Sequence, residues 1–535
     1  MGESTKKQTF LHGAALLALA TAVVKVIGAF YKIPLKMIIG DQGYGYFITA
    51  YDVYNVLLLI STAGLPVAMS RMISQANALG NSNQVRRIYK TARAIFLCLG
   101  IGSSLFMVLG SKWLANEVLM QPNAAAAIAC LGPCALFMGV ISTFRGFFQG
   151  HGNMRPTSSS QVLEAACKLA VGLGLAFVIM GRYNSVPLAA AGAILGVTVS
   201  CLISAVFLYG KFRPAYAELG ASEDTPASFG ATAKSLLAIA VPITIGSAGL
   251  QFLTVLEQKL YMGQLLTANG LSQDVADTMK GIYSMTMTIY NMPCAFIVPI
   301  AISVIPAITS HLTLQNNRGV RETEESAARI AGLISMPCAV GLFVLARPVM
   351  ALLGGYTGEK LVLATNLMRV LSICIFLYAN IQYTNALMQA HGYAHIPVVN
   401  MLLAGVTKLA VVYILVGNPK IGILGAPIGS VLGYAAIASM NLIAIARVVP
   451  QKPAILKNIL RPALPAGIMG VVVFGIYWAL TRALGSDGSR VILCGVPILV
   501  GVVVYGLAVV KFRSITAGDC ALLPKGEKIA KLLRL

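Results

Sequence analysis

VILCGVPILVGVVVYGLAVV, at residues 491–510, is a continuous apolar stretch without a charged side chain. A helix needs about 20 apolar residues to cross the roughly 30 Å hydrocarbon core of a bilayer. We therefore expect this stretch to form a membrane-spanning helix. The same criterion can be applied to the rest of the chain.

Similar stretches recur along all 535 residues, of which 57% are hydrophobic and only 11% charged. The mean hydropathy is +0.79, whereas soluble proteins carry about 25% charged residues. The predicted fold class is all-α: a polytopic membrane protein with about fourteen transmembrane helices. The predicted spans are 10–38, 46–76, 91–113, 123–149, 160–181, 185–210, 233–260, 281–311, 326–353, 361–389, 396–416, 421–447, 459–481 and 489–511.

The positive charge of the chain is distributed unevenly between its loops. The formal net charge is +22, and most Lys and Arg, such as Arg86, Arg87 and Arg321, fall on the side of the two termini. The positive-inside rule then places both termini in the cytoplasm, at a bacterial cell membrane. Topology explains this charge without a nucleic-acid partner. We expect the first apolar run, which follows Lys6 and Lys7, to remain as an uncleaved first span.

Two distant stretches of the chain resemble each other. RGFFQGHGNMRPTSSSQVLEAACKLAV (145–171) and NALMQAHGYAHIPVVNMLLAGVTKLAV (385–411) share eight identical positions at a constant offset, among them Lys168/Lys408. Because each repeat has an even number of spans, six, both repeats have the same orientation in the membrane. This arrangement predicts two six-helix lobes with a substrate site near the midplane.

The repeat predicts the domain organisation of the chain. Two C-terminal spans stand outside it, and the last segment is a basic tail. The predicted parts are an N-terminal lobe (1–210), a cytoplasmic linker (211–232), a C-terminal lobe (233–447), the last two helices (448–511) and a basic cytoplasmic tail (512–535).

Several ionisable residues lie within or at the ends of the predicted spans, where charge is costly and commonly functional. The candidate substrate-binding residues are Lys25, Lys32, Arg71, Asp52, Arg145, Lys168, Arg369 and Lys408. Most are basic, which favours an anionic substrate. Glu164 precedes Lys168 by four residues and is expected to pair with it on one helix face.

Nothing in the sequence indicates an enzyme. It contains no phosphate-binding loop of the P-loop type, and no predicted loop much exceeds 20 residues, too short for the aqueous domain of a membrane polymerase. We expect no catalytic residue, cofactor or metal site. The ten cysteines fall almost entirely within spans, where they serve as small packing residues.

Two passages carry a family resemblance: VKVIGAFYKIPLKMIIGDQGYGYFITAYDVYNVLLLISTAGLPVAMSRMIS (24–74) and RGFFQGHGNMRPTSSSQVLE (145–164). They resemble the multidrug/oligosaccharidyl-lipid/polysaccharide (MOP) exporter superfamily. The similarity is to the branch of stage V sporulation protein B and the YtgP-type polysaccharide biosynthesis proteins, which is related to the lipid II flippase MurJ. It extends over nearly the whole chain.

This resemblance implies a two-lobed transporter of six plus six helices, with a cationic cavity and a groove for a lipid tail at the last helices. Lys25 falls where the family has a basic residue. In helix 2, however, Asn55 is followed by Leu58 and Leu59, where Gram-negative MurJ proteins carry an arginine pair. The implied partners are a lipid-linked anionic glycan and membrane lipids.

The favoured function is a flippase for a lipid-linked cell-envelope precursor, either lipid II or a related undecaprenyl-pyrophosphate glycan. A monovalent ion or the membrane potential would drive it, in vegetative growth or in sporulation. One alternative is a multidrug or cation antiporter of the same superfamily, which would need carboxylates in its cavity. Another is a non-transporting membrane scaffold for envelope or spore-cortex synthesis.

Overall fold

The chain is almost entirely helical. The structure, a computed structural model, describes residues 2–62, 64–220, 222–450, 452–485, 489–516 and 519, and no strand occurs within them. The helices are α1 (Gly2–Thr62), α2 (Leu65–Ala78), α3 (Ser82–Leu109), α4 (Ser111–Trp113), α5 (Ala125–Gly150), α6 (Arg155–Tyr183), α7 (Val186–Ala217), α8 (Phe229–Thr267), α9 (Gln273–Thr313), α10 (Asn317–Val344), α11 (Ala346–Leu353), α12 (Gly358–Ala390), α13 (His395–Val416), α14 (Gly425–Val448), α15 (Ile455–Leu460), α16 (Ala463–Leu484) and α17 (Arg490–Lys511).

The all-helical, membrane-spanning fold predicted from the sequence is confirmed. Within the part of the chain that the structure describes, ten helices are long and apolar enough to cross a membrane. The first two predicted spans fall on α1 and α2, and α1 is interrupted between them at Gly40, whose backbone (φ 70°, ψ −172°) is not helical. The expected total of fourteen is therefore approximate. Most of the basic tail, 520–535, lies outside the described residues.

The chain divides into two compact units. Unit 1 comprises Met1–Leu266 with Leu271–Gly281, and unit 2 comprises Thr267–Gly270 with Ile282–Leu535. The lobe boundaries at 211–232 and 448 remain predictions.

In unit 1, glycines bring α6 and α7 into close contact. A Cβ atom added to Gly196 would lie only 2.3 Å from the Cα atom of Gly172. Small residues allow membrane helices to approach this closely, and dispersion contacts then stabilise the pair. This packing fixes α6, which carries much of the candidate site.

The segment between α7 and α8 is tied to the start of α3. The Asp224 carboxylate accepts hydrogen bonds from the backbone N–H groups of Asn83 (3.0 Å) and Gln84 (2.8 Å). These N–H groups have no acceptor within the first turn of the helix, so the aspartate acts as a cap. Arg86 also donates to the carbonyl oxygen of Leu219 (2.6 Å). The predicted linker is thus docked on unit 1.

The repeated stretches adopt the same conformation at one end. The helices α5 and α12 end at Gly150 and Ala390, the same repeat position. The glycines two residues further, Gly152 and Gly392, have φ angles of 74° and 85°. Left-handed backbone of this kind favours glycine, which explains why both repeats keep it.

Candidate functional site

A cavity of about 240 Å³ lies in unit 1 between α1, α5 and α6. Its polar wall comes from α6, where Gln161, Glu164 and Lys168 follow at spacings of three and four residues and therefore share one helix face. On α1, nothing lies within 4 Å of the place where a Cβ atom of Gly28 would stand. The cavity therefore has a charged wall on α6 and free space beside Gly28 on α1.

Arg145 of α5 joins this wall through an ion pair with Glu164. Its Nη2 lies 3.0 Å from Glu164 Oε2, and its Nε donates to the Ser160 hydroxyl at 3.1 Å. The expectation that Glu164 pairs with Lys168 was wrong. The neighbouring helix offers a guanidinium with two donors in a fixed geometry, which suits a carboxylate better than a lysine on the same helix.

Lys168 lies instead over aromatic rings. Its Nζ is 5.3 Å from the ring centre of Tyr31 and 4.7 Å from that of Tyr51. The Tyr31 hydroxyl donates to the Ala193 carbonyl oxygen (3.2 Å), which holds that ring in place. Ring faces attract a cation without neutralising it. The two rings therefore stabilise the Lys168 ammonium at the cavity wall.

A second ion pair in unit 1 joins Asp52 of α1 to Lys280 of α9. Lys280 Nζ lies 3.7 Å from Asp52 Oδ2 and donates to Gln258 Oε1 at 2.9 Å. The Lys280 side chain is only 5% exposed. A lysine buried to this degree needs such partners, because an isolated charge is costly away from water.

Lys32 of α1 is a further basic residue of unit 1 with charged neighbours. Its charge interacts with that of Asp52 and with that of Lys168. Together with Arg145, Glu164 and Lys280, these residues form a group that we call the charge row: four basic and two acidic side chains of unit 1. Two further acids, Glu257 and Asp277, interact with Lys280. The excess of positive charge therefore lies at the other end of the row, at Lys32, Arg145 and Lys168, where it can attract an anion.

The structure does not bring every candidate residue into this row. The side chain of Lys25 lies outside the described residues, and Arg71 is exposed on α2. In unit 2, Arg369 is exposed on α12. Lys408 of α13 is half-buried and packs against Gly433. A Cβ atom added to Gly433 would lie 3.0 Å from the Cβ atom of Lys408.

The polysaccharide biosynthesis protein family matches residues 10–311, more than half of the chain and all of the charge row. The chain belongs to that family. Among the relatives of this chain, stage V sporulation protein B of Bacillus subtilis (strain 168) is 24% identical over 527 residues, covering 97% of this chain and 98% of the relative. The lipid II flippase MurJ of the same organism is 24% identical over 494 residues, covering 88% and 89%.

Solved structures share the fold of this chain. Lipid II flippase MurJ in an inward closed conformation has a TM-score of 0.68 and 13% identity, covering 93% of this chain and 99% of that structure. An inward-facing multidrug resistance MATE family transporter of the MOP superfamily has a TM-score of 0.63 and 16% identity, covering 79% and 99%. The predicted relationship to polysaccharide biosynthesis proteins is confirmed by the family match, and the fold is shared with MurJ and with a MATE family transporter.

Sequence reasoning missed Lys280. The predicted span begins at 281, so this lysine was placed in a loop, whereas α9 begins eight positions earlier, at Gln273. Asp277 and Lys280 are three residues apart, and this acid–base spacing ahead of an apolar run is the signal that the helix starts earlier. Gln121 and Gln258 were missed too, since buried amides leave no pattern in a single sequence.

Proposed function

We propose that the protein is a flippase that moves a lipid-linked anionic glycan across the bacterial membrane by alternating access. The best candidate substrate is lipid II or a related undecaprenyl-pyrophosphate glycan. The observation that carries the proposal is the charge row, whose basic side chains Lys32, Arg145 and Lys168 outnumber the carboxylate of Glu164 beside them, at and beyond a cavity in the apolar part of unit 1.

The charge row suits a pyrophosphate for a physical reason. Moving a doubly charged headgroup out of water is costly unless donors replace its hydration. Lys168 and Lys32 supply ammonium donors, and charge-assisted hydrogen bonds to phosphate are roughly twice as strong as neutral ones. The lipid tail need not leave the bilayer, so the protein binds mainly the headgroup.

The direction of transport follows from the sign of the membrane potential acting on an anionic substrate. The membrane potential, negative inside, favours outward movement of an anion by about 2.3 kcal/mol per charge per 100 mV. A monovalent ion gradient is a second possible source of energy. The relative named lipid II flippase MurJ supports a lipid-linked substrate for this chain.

The paired carboxylates argue against the alternative of a cation antiporter. Such a transporter needs an acidic group that can receive the cation, whereas Glu164 lies 3.0 Å from Arg145 and Asp52 lies 3.7 Å from Lys280. The charge of the buried Glu257 also interacts with that of Lys280. A scaffold without transport activity would have no use for the charge row, and charge within a membrane span is costly to keep.

Complementation tests the proposal. The wild-type chain should restore growth to cells depleted of their lipid II flippase, and Lys168→Gln should fail at an equal membrane level. The matched control is Lys211→Gln, which changes an exposed lysine at the end of α7 and should restore growth. Wild-type protein that reaches the membrane without restoring growth would contradict the assignment of lipid II. Growth with Lys168→Gln would contradict the role of the charge row.

A further inference from the structure

A second polar group of unit 1 lies beside Lys280 and is built around a buried amide. Gln121 is fully buried. It follows Met120, whose φ of 52° lies in the left-handed region that residues with a Cβ atom rarely adopt. A π-helical turn, Leu114–Val118, comes just before, and such turns are frequent at functional sites. The unusual backbone therefore serves to place one side chain.

Asp277 fixes the orientation of the Gln121 amide. Its carboxylate accepts hydrogen bonds from the Tyr46 hydroxyl (2.9 Å), Gln121 Nε2 (2.9 Å) and Gln273 Nε2 (3.0 Å). An ionised carboxylate only accepts, so the NH₂ end of Gln121 must face it. The carbonyl end of Gln121 then has to point the other way.

Gln121 in turn fixes the orientation of Gln258. Gln121 Oε1 accepts from the Thr49 hydroxyl and from Gln258 Nε2 at 3.5 Å, and Gln258 Nε2 also donates to Thr49 Oγ1 at 3.0 Å. The NH₂ end of Gln258 therefore faces these two oxygens. Its carbonyl oxygen is left to accept from Lys280 Nζ, at 2.9 Å.

We infer that Asp277, Gln121 and Gln258 form an amide relay that positions Lys280 for the substrate. Each amide has one donating and one accepting end. Reversing either would set an NH₂ group against the Lys280 ammonium or a carbonyl oxygen against the Asp277 carboxylate. The relay and Asp52 together hold the Lys280 charge in one place. This inference rests on the proposed function, because Lys280 matters only if the charge row meets an anion.

A positioning role and a purely structural role of Gln121 differ in one measurable way. If Gln121 acts through Lys280, removing it has little further effect once Lys280 is replaced. If Gln121 only supports the fold, its loss has the same effect with or without Lys280. A double-mutant cycle measures this difference.

The test uses the full chain in proteoliposomes and measures the transport efficiency for fluorescent lipid II. Gln121→Glu keeps the shape of the side chain but removes the NH₂ donor to Asp277. It should lower the transport efficiency about tenfold when Lys280 is present and less than about twofold in the Lys280→Gln background. The difference between these two losses is within the range of coupling measured for contacting residues. Asn116→Asp makes the same chemical change at an exposed position of the π-helical turn and should have no effect in either background.

Two further readouts keep the test decisive. If Lys280→Gln transports too slowly to follow, the same cycle is measured as the rise in melting temperature of the purified protein on adding undecaprenyl pyrophosphate. If Gln121→Glu fails to fold, Gln258→Glu replaces it, since it puts a carboxylate against Lys280 and should weaken binding of the lipid only when Lys280 is present.

The outcomes separate the relay from the flippase. Equal losses from Gln121→Glu in both backgrounds would overturn the relay and leave the flippase standing, provided Lys280→Gln itself impairs transport. Transport unaffected by Lys280→Gln would overturn the role of this lysine and with it the relay. A wild-type protein that neither transports lipid II nor is stabilised by undecaprenyl pyrophosphate would overturn both proposals.

Discussion

Arg145 and Glu164 connect α5 to α6 at the wall of the cavity, and their side chains are 12% and 26% exposed. In such a shielded pair, the loss of one partner does more harm than the loss of both, because it leaves a charge without its counter-ion. The pair therefore supports the site as well as charging it.

We predict that Glu164→Ala destabilises the protein by about 1–3 kcal/mol, the usual range for leaving a buried donor unsatisfied. The double variant Arg145→Ala/Glu164→Ala should recover part of that loss. Thermal unfolding of the purified protein measures both effects.

A matched control exists in the pair of Arg318 and Glu322, whose side chains are 90% and 65% exposed. Glu322→Ala should leave the melting temperature nearly unchanged, because exposed pairs contribute little. Equal melting temperatures for Glu164→Ala and Glu322→Ala would refute the structural role of the buried pair.

At the scale of elements, the contact between α6 and α7 depends on the absence of side chains. We predict that Gly196→Ala separates these helices, since its Cβ atom would meet the backbone of Gly172 at 2.3 Å. Overpacking of this kind costs about 1–3 kcal/mol. The melting temperature and transport rate should both fall. Gly210→Ala on α7, where nothing lies within 4 Å, should lower neither, and a similar loss from both variants would refute the explanation.

The docked segment after α7 should respond to pH through Asp224. Desolvation acts to raise the pKa of this carboxyl, but hydrogen bonds from Ser222 and from the backbone of Asn83 and Gln84 outweigh it, so the pKa lies below its ordinary value. A carboxyl with a lowered pKa in the folded state stabilises docking above its ordinary range, near 4. Docking is lost as the pH falls through the lowered value.

Limited proteolysis after Glu218, an exposed residue that follows α7, measures this docking, with a glutamate-specific protease that is active at neutral and at acid pH. We predict slow cleavage at neutral pH and rapid cleavage on acidification. Asp224→Asn should be cleaved rapidly even at neutral pH, whereas Glu223→Gln, which changes the exposed neighbour, should behave like the wild type. Slow cleavage of Asp224→Asn would show that the carboxylate does not hold the segment.

At the scale of the whole molecule, sequence reasoning reached what depends on composition and periodicity. Long apolar runs predicted the membrane helices, and the ionisable residues within or at the ends of them included Lys168, Lys32, Asp52 and Arg145, which the structure places in one row. The same method gave Glu164 the wrong partner and missed Lys280. The first depends on which helices pack together, which local spacing does not encode. The second depends on where α9 begins, for which the spacing of Asp277 and Lys280 was the overlooked signal.

The central claim is that the charge row carries an anionic, lipid-linked headgroup across the membrane, and a flipping assay tests it most directly. Purified protein is reconstituted with fluorescent lipid II, and the fraction of lipid reached by an added, membrane-impermeant reagent is followed over time. We predict that wild-type protein exposes lipid from the inner leaflet and that an imposed membrane potential of the right sign accelerates this. Lys168→Gln should slow it at least about tenfold, the order expected for one lost charge-assisted contact. Wild-type vesicles no faster than protein-free ones, or a Lys168→Gln rate equal to the wild type, would contradict the account.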